Sequence, residues 1–574
     1  MHISNYRQKV EAVFFVFLLL LLLCVARLFF IQFFNSSFLA DIAKRQQNLY
    51  VELEPTRGTI YDINFKPLAI NIAVDSLYAS PNDMKDKDKE LIINRVAPIL
   101  GVDPSYLRGR LSRKKSFVWL ARKIKPEQSE ALKRMNLKGL GFLKESKRSY
   151  PNSYLASHLI GFAGLDNNGL EGAELNYEKY LKGEPGWAYY LRDARQKKLD
   201  LWERMSVPKD GFDVILTIDE VIQYIAEREL DKAYTTYRAK GATIIVMDPH
   251  TGAILALANR PTYDLSNRTG VSKDAIRNRA ICDMFEPGSV FKIVTASAAI
   301  EEKKASEEDK FFCENGAFRV GPHTLHDHQK HGTLTFREVF EQSSNIGTTK
   351  VAMLLGKDTV SKYVKLFGFG SKLGIDLRGE VSGVAKDPWQ WSKISIASIP
   401  IGQEVCVTAL QLASAISVIA NGGQLMKPYV VKEIRDKYGE PIKEYSPKMI
   451  RKVLSLDTAL RIKSILAGVV EEGTGRMGKV PGFKAAGKTG TAQKLEPNGT
   501  YSHSKFIASF IGFAPVDDPL ITIVVCVDEP RGSIFGGVVS APVFKNVASD
   551  VLRYLKANQF SKDTLALNEN KSSY

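Results

Sequence analysis

One block of the chain stands apart in its polarity pattern. Ala12 to Phe34 carries FFVFLLLLLLCVA, a single Arg27 and then LFFIQFF. As a helix this block would be about 34 Å long, enough to span a bilayer, and Arg27 lies near one end, where a long side chain snorkels to the interface. A cleaved leader fits less well: no small-x-small site stands out, and apolar residues resume after Arg27. Leu23 ahead of Cys24 does not suit a lipoprotein site. We expect 1–11 to be a short cytoplasmic N-terminus, 12–34 a retained signal-anchor, and the bulk of the chain outside. Arg7 and Lys9 against Lys44, Arg45 and Arg57 give a weak charge bias, but a long C-terminal part translocates largely regardless of it.

Residues 35–211 alternate short strand-like and helical runs, with Pro, Gly and charge throughout and no nucleophile motif, metal cluster or repeat. They read as a structural or docking module. Arg57-Gly58-Thr59-Ile60-Tyr61-Asp62 and Gly169-Leu170-Glu171-Gly172-Ala173-Glu174 have the composition of tight, hydrogen-bonded turns. From Phe212 the texture changes. Asp213 to Ile218 reads as a strand and Asp219 as the cap of a helix through Leu230. Ala242 to Met247 and Ala253 to Ala258 are apolar runs joined by Asp248-Pro249-His250-Thr251-Gly252, a hairpin pattern. A second pair, Phe506 to Phe513 and Leu520 to Val527, lies far downstream, and 285–475 between the pairs is mostly helical in pattern. Residues 541–557 read as an amphipathic closing helix, and 558–574 as a polar, disordered tail. Strands at both ends with helices between them predict an α+β fold over 212–557: an antiparallel sheet of distant segments with an inserted helical subdomain.

Composition changes this picture little. The 574 residues are 44% hydrophobic, enough for two or more domains with real cores. A net charge of +16 suits an acidic partner or an anionic surface. Part of the excess is local, since 101–150 holds fourteen Lys and Arg against four acids. That stretch reads first as a solvated helical face, and no nucleic-acid motif accompanies it. Cys24, Cys282, Cys313, Cys406 and Cys526 are scattered and make neither a disulfide framework nor a zinc spacing.

Candidate chemistry begins at Phe285-Glu286-Pro287-Gly288-Ser289-Val290-Phe291-Lys292. Pro287-Gly288 breaks the chain, and Ser289 to Ile300 has the composition of a buried helix starting at or near Ser289. Lys292 then lies one turn beyond Ser289 on the same face, so amine and hydroxyl can meet. A serine at a helix N-terminus under a desolvated lysine can be an activated nucleophile. The spacing alone is weak, because Ser112/Lys115, Ser206/Lys209 and Ser502/Lys505 repeat it with no apolar helix behind. Two further pieces complete a set. Ser343-Ser344-Asn345, between helical runs at 334–342 and 346–355, offers a hydroxyl and an amide. Lys488-Thr489-Gly490-Thr491, on a strand-like run before the Phe506 hairpin, offers a cation, two hydroxyls and a glycine that opens the backbone to substrate. The ordered set S-x-x-K, S-x-N, K-T-G, spaced about 50 and about 145 residues apart, is far more specific than any member.

That set resembles the penicillin-recognising serine transpeptidases and β-lactamases. Within them the chain resembles a class B penicillin-binding protein of the division-specific, septal type. The resemblance runs from the anchor to about residue 557. Arg57 to Asp62 and the Leu170-Glu171-Gly172 region are similar to N-terminal signatures of class B members. Glu286-Pro287-Gly288-Ser289 and Ser343-Ser344-Asn345 look closer to the septal than to the elongation type. Ile63 and Phe65 stand where the family usually has Arg and Gly, and Val290 where Thr is common.

The resemblance implies a transpeptidase or serine β-lactamase-like domain over 212–557, on an elongated pedestal or dimerisation-like domain over 35–211. It implies that Ser289 attacks the penultimate D-Ala carbonyl of a peptidoglycan stem peptide and expels the terminal D-Ala. Lys292, its pKa lowered by burial and by Lys488, would take the hydroxyl proton. Ser343 would relay a proton to the leaving amine, and Asn345 would hold Lys292 and the substrate amide. Lys488 with Thr489 and Thr491 would hold the substrate carboxylate, with Gly490 between them. The backbone N–H groups of Ser289 and Thr491 would form an oxyanion hole, each worth about 3 kcal/mol in comparable sites. An amine from a second stem peptide would resolve the acyl-enzyme, whereas β-lactams would acylate Ser289 and stay. No cofactor or metal is implied. The implied partners are stem peptides on lipid-linked or nascent glycan strands, a glycosyltransferase and other divisome membrane proteins at the bacterial inner membrane, and no nucleic acid.

Rival readings of the same residues fit less well. Gly482 to Thr489 satisfies the Walker A pattern, but Val480-Pro481 precedes it and Gly490 follows, so the flanking strand and helix of a P-loop are missing. His323, His326, His328 and His331 cluster without a zinc-site spacing. The long segment before the motifs argues against a compact β-lactamase. A carboxypeptidase, a β-lactam sensor or an elongation enzyme shares the motifs, and a catalytically idle scaffold is opposed by their completeness.

Overall fold

The computed structural model describes residues 2–38, 48–115, 117–192, 198–496 and 498–571. The chain divides into two compact units, Met1–Thr56 with Gly183–Gly211, and Arg57–Lys182 with Phe212–Tyr574. The smaller unit carries a helix, His2–Phe33, of which Tyr6–Phe33 is long and apolar enough to cross a membrane. It begins before the expected residue 12 because no Gly or Pro interrupts 2–12. Lys44 and Arg45 lie outside the described residues. Strands Asn48–Leu53, Gly186–Arg192 and Lys198–Ser206 form an antiparallel sheet in that order.

In the larger unit we number the elements that build the site. Its five-stranded sheet consists of β1 (Gly241–Met247), β2 (Ile254–Arg260), β3 (Ala486–Leu495), β4 (Tyr501–Ala514) and β5 (Ile521–Asp528). All pairings are antiparallel, in the order β2-β1-β5-β4-β3. The central strands read as continuous apolar runs, GATIIVM and ITIVVCV, because both of their faces are covered. Ile244, Phe510 and Val525 point into one core, while Ile245, Ile511 and Val524 point into the other.

Helices cover both faces. α1 (Glu220–Thr236) starts at Asp219, whose Oδ1 accepts from the Val221 and Ile222 N–H groups at 2.8 and 3.2 Å. It shares a core with the C-terminal helix, through Ile222, Ala226 and Leu230 against Phe544, Val547 and Val551. The opposite face receives the inserted segment, with α2 (Lys292–Glu301), α3 (Asn345–Leu355), α4 (Ala409–Ala420, buried at all twelve positions) and α5 (Leu456–Glu471). The insertion also contains two small hairpins that the helical pattern hid, Lys310–Phe312 with Thr333–Thr335 and Ala317–Val320 with His323–His326. The closing helix α6 runs Ala541–Lys571. The expected disordered tail is thus helical to Lys571, since Pro542 in the first turn is tolerated and no Gly or Pro follows it.

A second, seven-stranded mixed sheet explains the division of the chain. Its order is Pro441–Glu444, Val431–Arg435, Asp213–Leu216, Ile60–Tyr61, Pro67–Ala79, Val118–Ala121, with Leu140–Ser149 also on Pro67–Ala79. Asp213–Leu216 pairs with Val431–Arg435 on one edge and, in parallel, with Ile60–Tyr61 on the other. Residues 57–182, expected to belong to a pedestal ending at 211, are therefore built into the same unit as the downstream part. The two glycine stretches meet there. Arg57 and Arg148 flank Glu174, with Arg57 Nη2 at 2.7 Å and Arg148 Nε at 2.6 Å from its oxygens, and all three are buried.

Candidate active site

The Pro287-Gly288 break places the hydroxyl. Gly288 has φ +60°, and its N–H donates to the Gly402 carbonyl at 3.1 Å. The chain then makes one 3-10 turn, Gly288–Phe291, before α2 begins at Lys292. The helix expected to start at Ser289 therefore starts three residues later, with the serine on the turn that feeds it. This turn packs on β3. A Cβ on Gly490 would lie 2.9 Å from Val290 Cγ1 and 3.1 Å from the Pro287 carbonyl oxygen. The same Cβ would lie 2.3 Å from Ser509 Oγ, so the absence of a side chain at Gly490 lets β3 pack against both β4 and the 288–291 turn.

Lys292 is fully buried. Its Nζ donates to the Ser343 carbonyl at 2.7 Å, to Asn345 Oδ1 at 2.8 Å and to Ser343 Oγ at 3.2 Å. Ser343 has φ +59°, a strained conformation for a residue with a Cβ, and both its carbonyl and its hydroxyl meet the amine. Lys488, also buried, donates to the same Ser343 Oγ at 2.9 Å. One hydroxyl thus sits between two buried amines, and no carboxylate pairs with either among the described residues. Burial first, and then the Lys488 charge, holds the Lys292 amine well below its ordinary range, against an opposing pull from Asp327. Burial brings Lys488 down to about 7. The Ser289 hydroxyl is half-buried and makes no hydrogen bond among the described residues.

Strand alternation on the edge strand β3 separates its functional groups. Lys488 and Gly490 face Ser343 and the 288–291 turn. Thr489 Oγ1 shares a hydrogen with Thr474 Oγ1 at 2.8 Å, and Thr491 Oγ1 accepts from the Gly536 N–H at 3.3 Å. Each arrangement leaves a hydroxyl hydrogen to donate. A Cβ on Gly288 would lie 3.0 Å from the Thr491 carbonyl oxygen, which brings the chain at Ser289 beside Thr491.

Two matches to known families account for this geometry. Residues 52–216 match the penicillin-binding protein dimerisation domain, and residues 242–549 match the penicillin-binding protein transpeptidase domain. The chain belongs to the class B penicillin-binding proteins. Among its relatives, stage V sporulation protein D of Bacillus subtilis is 37% identical, over 98% of this chain and 89% of that protein. Peptidoglycan D,D-transpeptidase FtsI of Escherichia coli is 30% identical, over 93% of this chain and 90% of that protein. Among solved structures, penicillin binding protein 2X of Streptococcus thermophilus covers 89% of this chain and 80% of its own, with 25% identity and a TM-score of 0.73. Penicillin binding protein 3 of Mycobacterium tuberculosis, complexed with aztreonam, covers 88% of this chain and 97% of its own, with 28% identity and a TM-score of 0.68.

This class B member also uses residues that its motifs do not announce. Asp327 accepts from the Asn345 and Ile346 N–H groups at 2.5 and 3.0 Å and from Ser344 Oγ at 2.6 Å, while Asn345 Nδ2 donates to the His326 carbonyl at 2.8 Å. The histidine-rich loop thus serves to cap α3 and fix the Asn345 amide. Nothing in the sequence links Asp327 to a helix that starts eighteen residues later. Thr474 and Gly536 reach the threonines of β3 by the same kind of long-range contact.

Proposed function

We propose that this chain is a membrane-anchored peptidoglycan D,D-transpeptidase working through a serine acyl-enzyme, in septal wall synthesis. The observation that carries the reading is Ser343 Oγ held between the two buried lysines. A neutral Lys292 keeps its two shorter hydrogen bonds, to the Ser343 carbonyl and Asn345 Oδ1, gives up the longer donation to Ser343 Oγ, and has a lone pair free to take a proton. Lys488 donates to that same oxygen and keeps a positive charge for the substrate carboxylate, which the Thr489 and Thr491 hydroxyls also hold. Ser289 Oγ attacks the penultimate D-Ala carbonyl, and its proton passes to the Lys292 lone pair as the two groups approach with substrate in place. The backbone N–H groups of Ser289 and Thr491 receive the oxyanion. The proton returns through Ser343 to the departing D-Ala amine. The amine of a second stem peptide then attacks the ester, and Ser289 recovers its proton as the cross-link forms. β-Lactams enter the same path and remain on Ser289.

The helix Tyr6–Phe33 anchors the chain in the inner membrane with residues 57–571 on the outer side, where the substrate is. The catalytic part is taken to begin near 212 and the preceding part to dock division partners, among them a glycosyltransferase. The septal assignment is supported by the Glu286-Pro287-Gly288-Ser289 lead-in and by the similarity to FtsI. Fluorescent penicillin should label the wild-type chain covalently and leave Ser289→Ala unlabelled; equal labelling of both would sink the mechanism. Depletion should give filaments with unseparated septa, and rounded cells would instead mark an elongation enzyme.

A further inference from the structure

The basic stretch between 101 and 150 plays no part in the reaction outlined above. Its densest part, 104–126, holds eight Lys and Arg and no Asp or Glu. Some of these cations serve the fold: Arg108 pairs with Glu90, and Arg122 with Glu145 and Asp166. Arg113, Lys114 and Lys115 do not. They are exposed, follow the helix Pro104–Leu111 in a short turn, and make no ion pair among the described residues. Backbone bonds fix that turn. The Arg113 N–H donates to the Arg110 carbonyl at 3.4 Å, and the Lys115 carbonyl accepts from the Asn82 N–H at 3.3 Å. Three uncompensated charges are thus held side by side on a folded surface.

Aromatic rings flank the turn on both sides. Tyr106 and Phe117 are each 44% exposed. The Arg110 guanidinium lies 5.2 Å from the Tyr106 ring centroid, one helical turn ahead of the loop. On the other side Phe117 stacks on Tyr78 at 4.8 Å, and Trp119 stands edge-on to Phe117 at 4.8 Å. Leu77, Ala79 and Leu120 turn to the helices that cover this part of the mixed sheet, so Tyr78 and Trp119 lie on its opposite face. Leu143 shares that face and is 49% exposed.

Cations with Tyr, Phe and Trp beside them suit the boundary of a bilayer, where aromatic rings sit at headgroup level and each Lys or Arg gains from anionic lipid. An acidic polymer would use the charges and leave the exposed rings idle. The apolar helix Tyr6–Phe33 also tethers the chain to a membrane, which makes even a weak docking surface effectively intramolecular. We propose that this face docks on the phosphate headgroups of an anionic bilayer through Arg113, Lys114 and Lys115, with Phe117 and Trp119 at the headgroup boundary.

The full-length chain in nanodiscs tests this. Discs of phosphatidylcholine alone are compared with discs that hold about one-third phosphatidylglycerol. Backbone hydrogen exchange over 106–119 should be about tenfold slower in the anionic discs, and high salt should remove the difference. Lipids with brominated acyl chains should quench Trp119, read as wild type minus Trp119→Phe, in the anionic discs and not in the others. Arg113→Gln, Lys114→Gln and Lys115→Gln together should weaken docking by about 10²-fold, which returns both readings to their phosphatidylcholine values. Penicillin labelling of that variant should match the wild type, since the turn lies outside the reaction. If the triple variant fails to fold, the salt series and the Trp119 quenching carry the test. Equal exchange and equal quenching in the two kinds of disc, or a lipid effect that survives the glutamine variant, overturns the docking surface. Slower exchange with soluble polyaspartate but not with anionic discs overturns it as well, in favour of an acidic polymer.

Discussion

Arg57 and Arg148 are buried around Glu174, and Lys292 and Lys488 are buried around Ser343. Both clusters place two cations out of water, but they do so for opposite ends. The arginines share Glu174, Arg57 also pairs with Glu178 at 2.7 Å, and the Asn167 and Gly58 carbonyls take further hydrogens, so two carboxylates balance two guanidiniums and their geometry is fixed. The lysines share a neutral hydroxyl, and burial is left free to push their protons off. Lysine suits that task because its pKa gives way when buried, whereas a guanidinium stays charged. A compensated pair holds the fold together, and an uncompensated pair stores reactivity.

The comparison predicts that each cluster fails in a different measurement. Lys292→Met should slow penicillin acylation by about 10²–10⁴-fold, the usual worth of a positioned base. Its thermal midpoint should move little, because the freed Ser343 and Asn345 acceptors cost at most about 1–3 kcal/mol and a buried amine is removed with them. Glu174→Ala should do the reverse. It leaves the Arg148 guanidinium without a carboxylate while Arg57 keeps only Glu178, at 2.7 Å, and should cost about 3–5 kcal/mol, read as a lower midpoint in denaturant. Acylation of the folded fraction should stay within about twofold, as expected for separate clusters without shared partners. A Lys292→Met protein as unstable as Glu174→Ala would erase the distinction.

Titration sharpens the same contrast. The proposed mechanism needs Lys292 neutral and Lys488 charged, so the acylation rate should rise with pH as Lys292 loses its proton and fall as Lys488 loses its own at about 7. The stability effect has the opposite look. Lys488 releases its proton at about 7 when folded and at 10.5 when unfolded, so between these values the unfolded chain holds the extra proton. The cost of burying the charge is therefore complete below about pH 7 and is relieved as pH climbs toward 10.5. Melting of the wild type against Lys488→Met over pH 6 to 10 should show the difference shrinking; a constant difference would contradict the assignment.

The uncompensated cluster was largely readable from sequence, and the compensated one was not. S-x-x-K, S-x-N and K-T-G are local patterns whose types already carry the chemistry, and the antiparallel sheet followed from apolar runs at 242–258 and 506–527. Arg57 and Glu174 each stood in a glycine-flanked stretch that said only turn, because their pairing spans more than a hundred residues and rests on the mixed sheet at Ile60 and Val214. Asp327 stayed hidden for the same reason. The two small hairpins at 310–335 leave no mark on the pattern, because three- and four-residue strands are too short to set a period.

The smallest expected effect concerns the turn that leads away from Arg57. Asp62 Oδ1 accepts from the Asn64 and Lys66 N–H groups at 2.8 Å each, which bends the chain so that Phe65 stands at φ +60°. Class B members usually carry glycine there, and for a residue with a Cβ that conformation costs about 1–2 kcal/mol. Phenylalanine recovers part of it by lying under the Arg435 guanidinium, 4.8 Å from the ring centroid, a contact worth about 0.5–1 kcal/mol at an exposed site. Phe65→Gly should therefore change stability by no more than about 0.5 kcal/mol, because relief of strain offsets both the lost contact and the looser unfolded chain. Phe65→Ala keeps the strain and loses the ring, so it should be the less stable variant by about 1 kcal/mol. In an Arg435→Ala background, where the ring has no cation to hold, Phe65→Gly should become stabilising. If glycine is no better there than in the wild type, the ring is held by something other than Arg435, and the left-handed turn is stabilised by its Asp62 bonds alone.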